Sequence, residues 1–194
     1  LHSTSRRQRQ MCIRDRLSTD GEAFLAGILG HVVGMTAVFN PLVNSYKRLV
    51  PGYEAPIYVA WSATNRSPLI RIPVTRGAGT RVELRCPDPA ANPYLVLAVC
   101  LEAGLDGIRN QITPPDAVTE NVFEMQLQQR AKLGIESLPG DLEQAVEELE
   151  KDDYIKNVLG GHITEKYLEA KKAEWADYRA QVTEWEIEKY LYKI

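Results

Sequence analysis

Cysteine is scarce in this chain: three residues in 194, with no CxxC pair. That excludes a disulfide-stapled framework and the usual zinc-ribbon spacings, and it suits a reducing compartment. Cys12 falls in a segment set apart below, and Cys86 and Cys100 read as small buried hydrophobes. Histidine is equally scarce, at three. Long apolar runs are absent. The longest unbroken one covers residues 94–101, against the roughly 20 residues a helix needs to span a bilayer, so no membrane partner is expected. Positive charge is also short. Five of the arginines (Arg6, Arg7, Arg9, Arg14, Arg16) lie in the first sixteen residues, and the other 178 residues carry 18 Lys and Arg against 25 Asp and Glu. An acidic body offers no electrostatic footing for nucleic acid. There is no internal repeat.

What is present is an ordinary globular composition, 44% hydrophobic and 25% charged, at a length that suits one domain or part of a larger one. DGEAFLAGILGHVVG, residues 20–34, predicts a helix with Phe24, Leu25, Ile28, Leu29 and Val32 near helical spacing. His31 lies close to that apolar face and reads as a packed or surface histidine, with no partner nearby in sequence. A loop with Asn-Pro, Pro-Gly and Ala-Pro breaks follows. Three short β candidates come next: IYVAWSA (57–63), LIRIP (69–73) and RVELRC (81–86). Asp88-Pro89 and Asn92-Pro93 are two cap-plus-proline helix starts, and the helix after them is apolar nearly all round, so it is expected to be buried. Residues 110–140 read as a long polar connection with room for short helical pieces. Beyond it, DLEQAVEELEKD sets Leu142, Val146 and Leu149 on one side, with Asp141 as cap. A short helix over 154–159 stops at Gly160-Gly161. A long one follows, with Ile163, Tyr167, Ala170, Tyr178, Val182 and Trp185 along a stripe. Three short strands cannot close a barrel or build a sandwich. The pattern is that of the C-terminal part of a larger α+β domain, antiparallel sheet segments packed with helices.

Chemistry concentrates between Arg48 and Arg85. Strand alternation puts Arg81, Glu83 and Arg85 on one face of RVELRC, with Val82 and Leu84 on the other. In LIRIP, Arg71 takes the face opposite Ile70 and Ile72. A solvated outer sheet face would give the same pattern. Against that, the flanking segments are apolar or rigid, and clustered like charges repel unless an anion or a metal sits among them. Planar guanidinium forks suit carboxylate and phosphate, and a glutamate among them suits a divalent cation bridging phosphate oxygens.

The texts NPLVNSYKRLVPGYEAPIYVAWSATNRSPLIRIP and RVELRCPDPAANPYLVLAVCLEAGLDGI closely resemble the catalytic domain of the glutamine synthetase family, in its type I bacterial and archaeal form. The resemblance runs from about Leu17 to the end and is strongest over residues 40–110. It implies a ligase that phosphorylates the γ-carboxylate of glutamate with ATP and displaces phosphate with ammonia, with Mg²⁺ or Mn²⁺ as cofactor. It implies that Arg48 grips glutamate, that Glu54 in PGYEAP lies on a flap and takes a proton from ammonium, and that Arg66 in TNRSP contacts both ATP and glutamate. It further implies that Arg71 and Arg81 serve ATP, that Glu83 ligates a metal, and that Arg85 contacts glutamate. A cytoplasmic homo-oligomer, a dodecamer of two hexameric rings, is implied for the full-length enzyme. The family's other metal ligands and its N-terminal domain fall upstream of this text, so the chain by itself is expected to be inactive. Where some relatives carry a modifiable tyrosine, ENVFEM has Phe123. A ligase for another amine, or a non-catalytic assembly or regulatory relative, are the alternatives.

The arginine-rich opening is different in kind. RRQRQMCIRDR resembles an in-frame translation of a transposase-based sequencing adapter. Residues 1–16 are therefore expected to be a non-native, disordered tail, with residues 17–194 the C-terminal part of the catalytic domain.

Overall fold

The computed structural model describes residues 12–13, 16–51, 55–63, 67–75, 77–191 and 193. Helix α1 (Thr19–Phe39) is its axis. The Ser18 hydroxyl accepts from the Gly21 N–H at 3.1 Å, and Asp20 and Glu22 occupy the first turn, where the helix dipole favours acid. The helix runs past the predicted residue 34 because Gly34 does not stop it. A Cβ there would lie 2.7 Å from the Asp152 side chain, so this glycine serves close packing. The helix ends at Asn40, before Pro41, since a residue preceding proline is pushed out of the α region. By length and composition α1 could cross a membrane, but 72% of its apolar window is buried inside the fold.

Helix α2 (Pro93–Arg109) packs across α1. The Asn92 side chain accepts from the N–H groups of Tyr94 (3.0 Å) and Leu95 (3.4 Å), so the second cap-plus-proline pair opens the helix. Asp88 makes a turn instead, accepting from the Ala90 N–H at 2.7 Å. Gly27 and Gly107 meet at the crossing: a Cβ on Gly27 would stand 2.7 Å from the Gly107 nitrogen. Burial of α2 on all sides, expected from sequence, is corrected. Val99, Ala103, Gly104 and Gly107 are buried, but Tyr94, Leu97 and Leu101 are exposed, at 82%, 68% and 54%. Among the described residues, only one side of α2 has other helices to pack on.

Two short antiparallel strands, β1 (Cys12–Ile13) and β2 (Arg16–Leu17), precede α1. The sheet proper runs β3 (Trp61–Ser62), β4 (Ile70–Arg71), β5 (Glu83–Leu84), in that order. Each strand lies inside one predicted segment and is shorter than it. β4 and β5 are antiparallel, with Ile70 opposite Leu84 and Arg71 opposite Glu83. β3 and β4 are parallel, so the sheet is mixed where antiparallel segments were expected.

The polar connection is laced onto the sheet. The Trp61 indole donates to the Pro115 carbonyl at 2.7 Å, and the Leu138 N–H donates to the Ile57 carbonyl at 2.7 Å. Its helical piece is α3 (Leu127–Lys132). Helix α4 (Leu142–Lys151) is capped by Asp141, which accepts from the Gln144 N–H at 2.8 Å, and it buries Leu142, Ala145, Val146 and Leu149 against the core. α5 (Asp153–Leu159) stops at Gly160, whose φ of 79° favours glycine. The predicted final helix is in fact two, α6 (Gly161–Arg179) and α7 (Glu184–Tyr190). Thr183 and Glu186 form a reciprocal capping box that starts α7 afresh, and Val182 and Trp185 are left exposed.

Candidate functional site

The sheet brings Arg71, Arg81 and Glu83 together. Register sets Arg71 opposite Glu83, and Arg71 Nη1 reaches Glu83 Oε2 at 3.4 Å. Arg81, two residues before Glu83 and just ahead of β5, donates to Oε1 from Nε at 2.9 Å and from Nη2 at 2.6 Å. It also donates to the Gly79 carbonyl at 3.2 Å. Glu83 is thus clasped from both sides. The three side chains stay 28%, 53% and 29% exposed, so solvent screening keeps the pairs weak as stability terms. Their importance lies in orientation and charge: two guanidiniums surround one carboxylate, which leaves a net positive patch open to an anion.

Arg48 is held from another side. It follows a short 3₁₀ turn (Val43–Lys47), and its Nη2 donates to the Asn40 Oδ1 at 2.9 Å and to the Cys86 carbonyl at 2.6 Å. Cys86 directly follows Arg85, whose own N–H donates to the Leu69 carbonyl at 3.1 Å and so fastens the strand to its neighbour. Arg48 and the end of the Arg85 strand are therefore tied into one unit. The Arg48 Nε is buried and has no hydrogen-bond partner among the described residues. Burial pushes the thiol of Cys86 far up, out of the range where a thiolate forms, so this cysteine is a packing residue. Glu54 and Arg66 lie outside the described residues.

Among the described residues, no group of three or more His, Cys, Asp or Glu side chains could hold a metal ion. Glu83 fits as a single donor, because a carboxylate has about four lone-pair directions and the arginines do not fill them all. A closed metal site would need further donors.

Sequence reasoning found the arginines and missed Asn40, which it took only as part of an Asn-Pro break. An amide buried at the end of an apolar helix, eight residues before a charged side chain, is the signal it left unused. It also missed the partners of His31. Nδ1 lies 2.8 Å from Asp152 Oδ2 and Nε2 lies 3.4 Å from Asp106 Oδ2, both from distant sequence, and the ring stacks on Tyr154 with centroids 4.8 Å apart.

The family model described as "Glutamine synthetase, catalytic domain" matches residues 6–190, and the chain belongs to that family. It is 56% identical over 180 residues to the glutamine synthetase of Clostridium saccharobutylicum, covering 93% of this chain and 41% of that protein. With the glutamine synthetase of Thermotoga maritima it shares 55% identity over 176 residues, or 91% of this chain and 40% of that protein. Among solved structures, one described as "GmaS/ADP complex-Conformation 1" superposes with a TM-score of 0.79 at 41% identity, over 93% of this chain and 41% of that one. "Apo GmaS without ligand" gives 0.76 at 42% identity, over 90% and 39%. The chain thus spans about two-fifths of the length of these relatives.

Proposed function

We propose that this chain is the C-terminal part of the catalytic domain of a glutamate–ammonia ligase, which makes L-glutamine, ADP and phosphate from L-glutamate, ammonia and ATP. The observation that carries the reading is the Arg71–Glu83–Arg81 cluster at the paired strands β4 and β5, together with an Arg48 anchored to the Cys86 carbonyl just past β5. Guanidiniums fixed on a sheet suit phosphate and carboxylate oxygens, and fixed cations act most strongly where charge develops during phosphoryl and acyl transfer.

In this reading Arg71 and Arg81 hold the phosphates of ATP, Arg48 and Arg85 hold glutamate, and Arg66 reaches both. A γ-carboxylate oxygen of glutamate attacks the γ-phosphorus, the bond to ADP breaks, and an acyl phosphate forms. Glu54 takes a proton from ammonium. The freed nitrogen lone pair attacks the acyl carbon, and the C–O bond breaks with its electrons going to phosphate, which takes up the second proton. Mg²⁺ or Mn²⁺, when bound, neutralises phosphate charge, and Glu83 would hold one such ion together with donors from the rest of the enzyme. The working protein is a cytoplasmic homo-oligomer, a dodecamer of two hexameric rings. Phe123 has no hydroxyl to modify, so control by tyrosine modification at that place is absent.

The test is product analysis. The full-length enzyme, given ATP, Mg²⁺, glutamate and ammonium, is expected to release glutamine, and the 194-residue chain alone is expected to release none. A product formed only when another primary amine replaces ammonium would contradict the reading and assign a γ-glutamyl-amine ligase instead.

A further inference from the structure

Arg48 is anchored in an unusual way for a guanidinium below the surface. Both oxygens it donates to are neutral: the Asn40 side-chain carbonyl and the Cys86 backbone carbonyl. No carboxylate pairs with it among the described residues. Asn40 itself is fully buried and rigidly placed. Its N–H donates to the Thr36 carbonyl at 2.8 Å as the last bond of α1, and the Asp88 N–H donates to the Phe39 carbonyl at 2.8 Å, stitching the end of α1 to the segment after β5. The two Nη2 hydrogens are thus committed to acceptors that belong to the core. Among the described residues the Nε hydrogen is buried and unpaired, and so is the Nδ2 of Asn40, whose Oδ1 Arg48 holds. A buried donor left unpaired is costly, so this edge favours an incoming acceptor.

Resting on the reading of Arg48 as a glutamate-binding residue, we infer that Asn40 is its positioning residue, orienting the guanidinium while leaving its charge unneutralised for the substrate carboxylate. An aspartate in the same place would orient Arg48 equally well but would cancel its charge. A side chain without an acceptor would let it turn. Asparagine does neither, which gives a chemical reason for an amide at a buried helix end.

The experiment is steady-state kinetics on the full-length enzyme with Asn40→Leu, Asn40→Asp, Arg48→Met and the Asn40→Leu/Arg48→Met double variant, with thermal melting as a folding control. Asn40→Leu is expected to raise the KM for glutamate about tenfold with the KM for ATP unchanged, the size expected for misplacing a charged hydrogen-bonding group. In the Arg48→Met background it is expected to add nothing. Asn40→Asp, which keeps the acceptor and the shape, is expected to melt no lower than wild type yet also to raise the glutamate KM about tenfold. Wild-type glutamate KM in both Asn40 variants, with Arg48→Met raised, would overturn the inference alone. An unchanged glutamate KM in Arg48→Met would overturn the reading of Arg48 and the inference with it.

Discussion

At the residue scale, His31 is held between two carboxylates and stacked on Tyr154. The hydrogen bond to Asp152 is the main cause that raises its pKa above the ordinary value, with Asp106 acting in the same direction and burial opposing. For Asp152, burial pushes upward, but the bonds from His31 and from the Ile155 N–H outweigh it and hold the carboxyl below its ordinary value. The sign follows from linkage. The His31 contribution is fully present below its ordinary pKa of about 6.5 and is lost as pH rises through the raised folded value. The Asp152 contribution is present above its ordinary value and is lost only as pH falls through the lowered one. His31→Gln should therefore lower the melting temperature most in mildly acidic buffer and least in alkaline buffer. At this partly buried site, with the His31 side chain 19% exposed, the effect is on the order of 1 kcal/mol, or roughly 2–4 °C. Melting curves of wild type and variant across pH check this, and a gap that widens toward alkaline pH would contradict it. None of this was legible in the sequence, because Asp106 and Asp152 lie 75 and 121 residues from His31 and no periodicity links them. Arg71, Arg81 and Glu83 were legible, because strand alternation is local and sets side-chain faces within a few residues.

At the element scale, the helix pair α1 and α2 depends on missing side chains. The Cβ of an alanine at Gly27 would run into the Ala103 carbonyl and stand 2.9 Å from the Gly107 Cα, which are backbone atoms that cannot rotate aside. Gly27→Ala should cost about 1–3 kcal/mol, as overpacking does, and shift the urea midpoint without changing the slope. Gly30→Ala on the same helix meets no atom within 4 Å and serves as the control that should not lose stability. Element starts were readable where a cap carries the signal: Asn92-Pro93 and Asp141 both open helices as their chemistry dictates. Element ends and pairings were less readable. The helix predicted over 20–34 runs on to Phe39, and Gly34 is a packing contact. Thr183 and Glu186 divide what looked like one helix. The parallel pairing of β3 with β4 is decided by tertiary packing that no local pattern encodes.

At the scale of the whole molecule, the fold builds one wall of a site. Helix α1 anchors Arg48 through Asn40, and the sheet aims Arg71 and Arg81 around Glu83. The exposed apolar side of α2 explains why sequence reading expected that helix to be buried all round: its composition is that of a core helix, and this chain covers only one of its faces. The proposed function divides labour among the arginines, with Arg48 and Arg85 proposed to serve glutamate and Arg71 the ATP phosphates. The most direct test is the pair of KM values for glutamate and ATP in single methionine variants of the full-length enzyme. Arg48→Met and Arg85→Met should each raise the glutamate KM at least about tenfold with the ATP KM nearly fixed, and Arg71→Met should do the reverse, since each removes a charge-assisted hydrogen bond to one ligand. Equal shifts of both KM values in all three variants, or no shift in any, would contradict it.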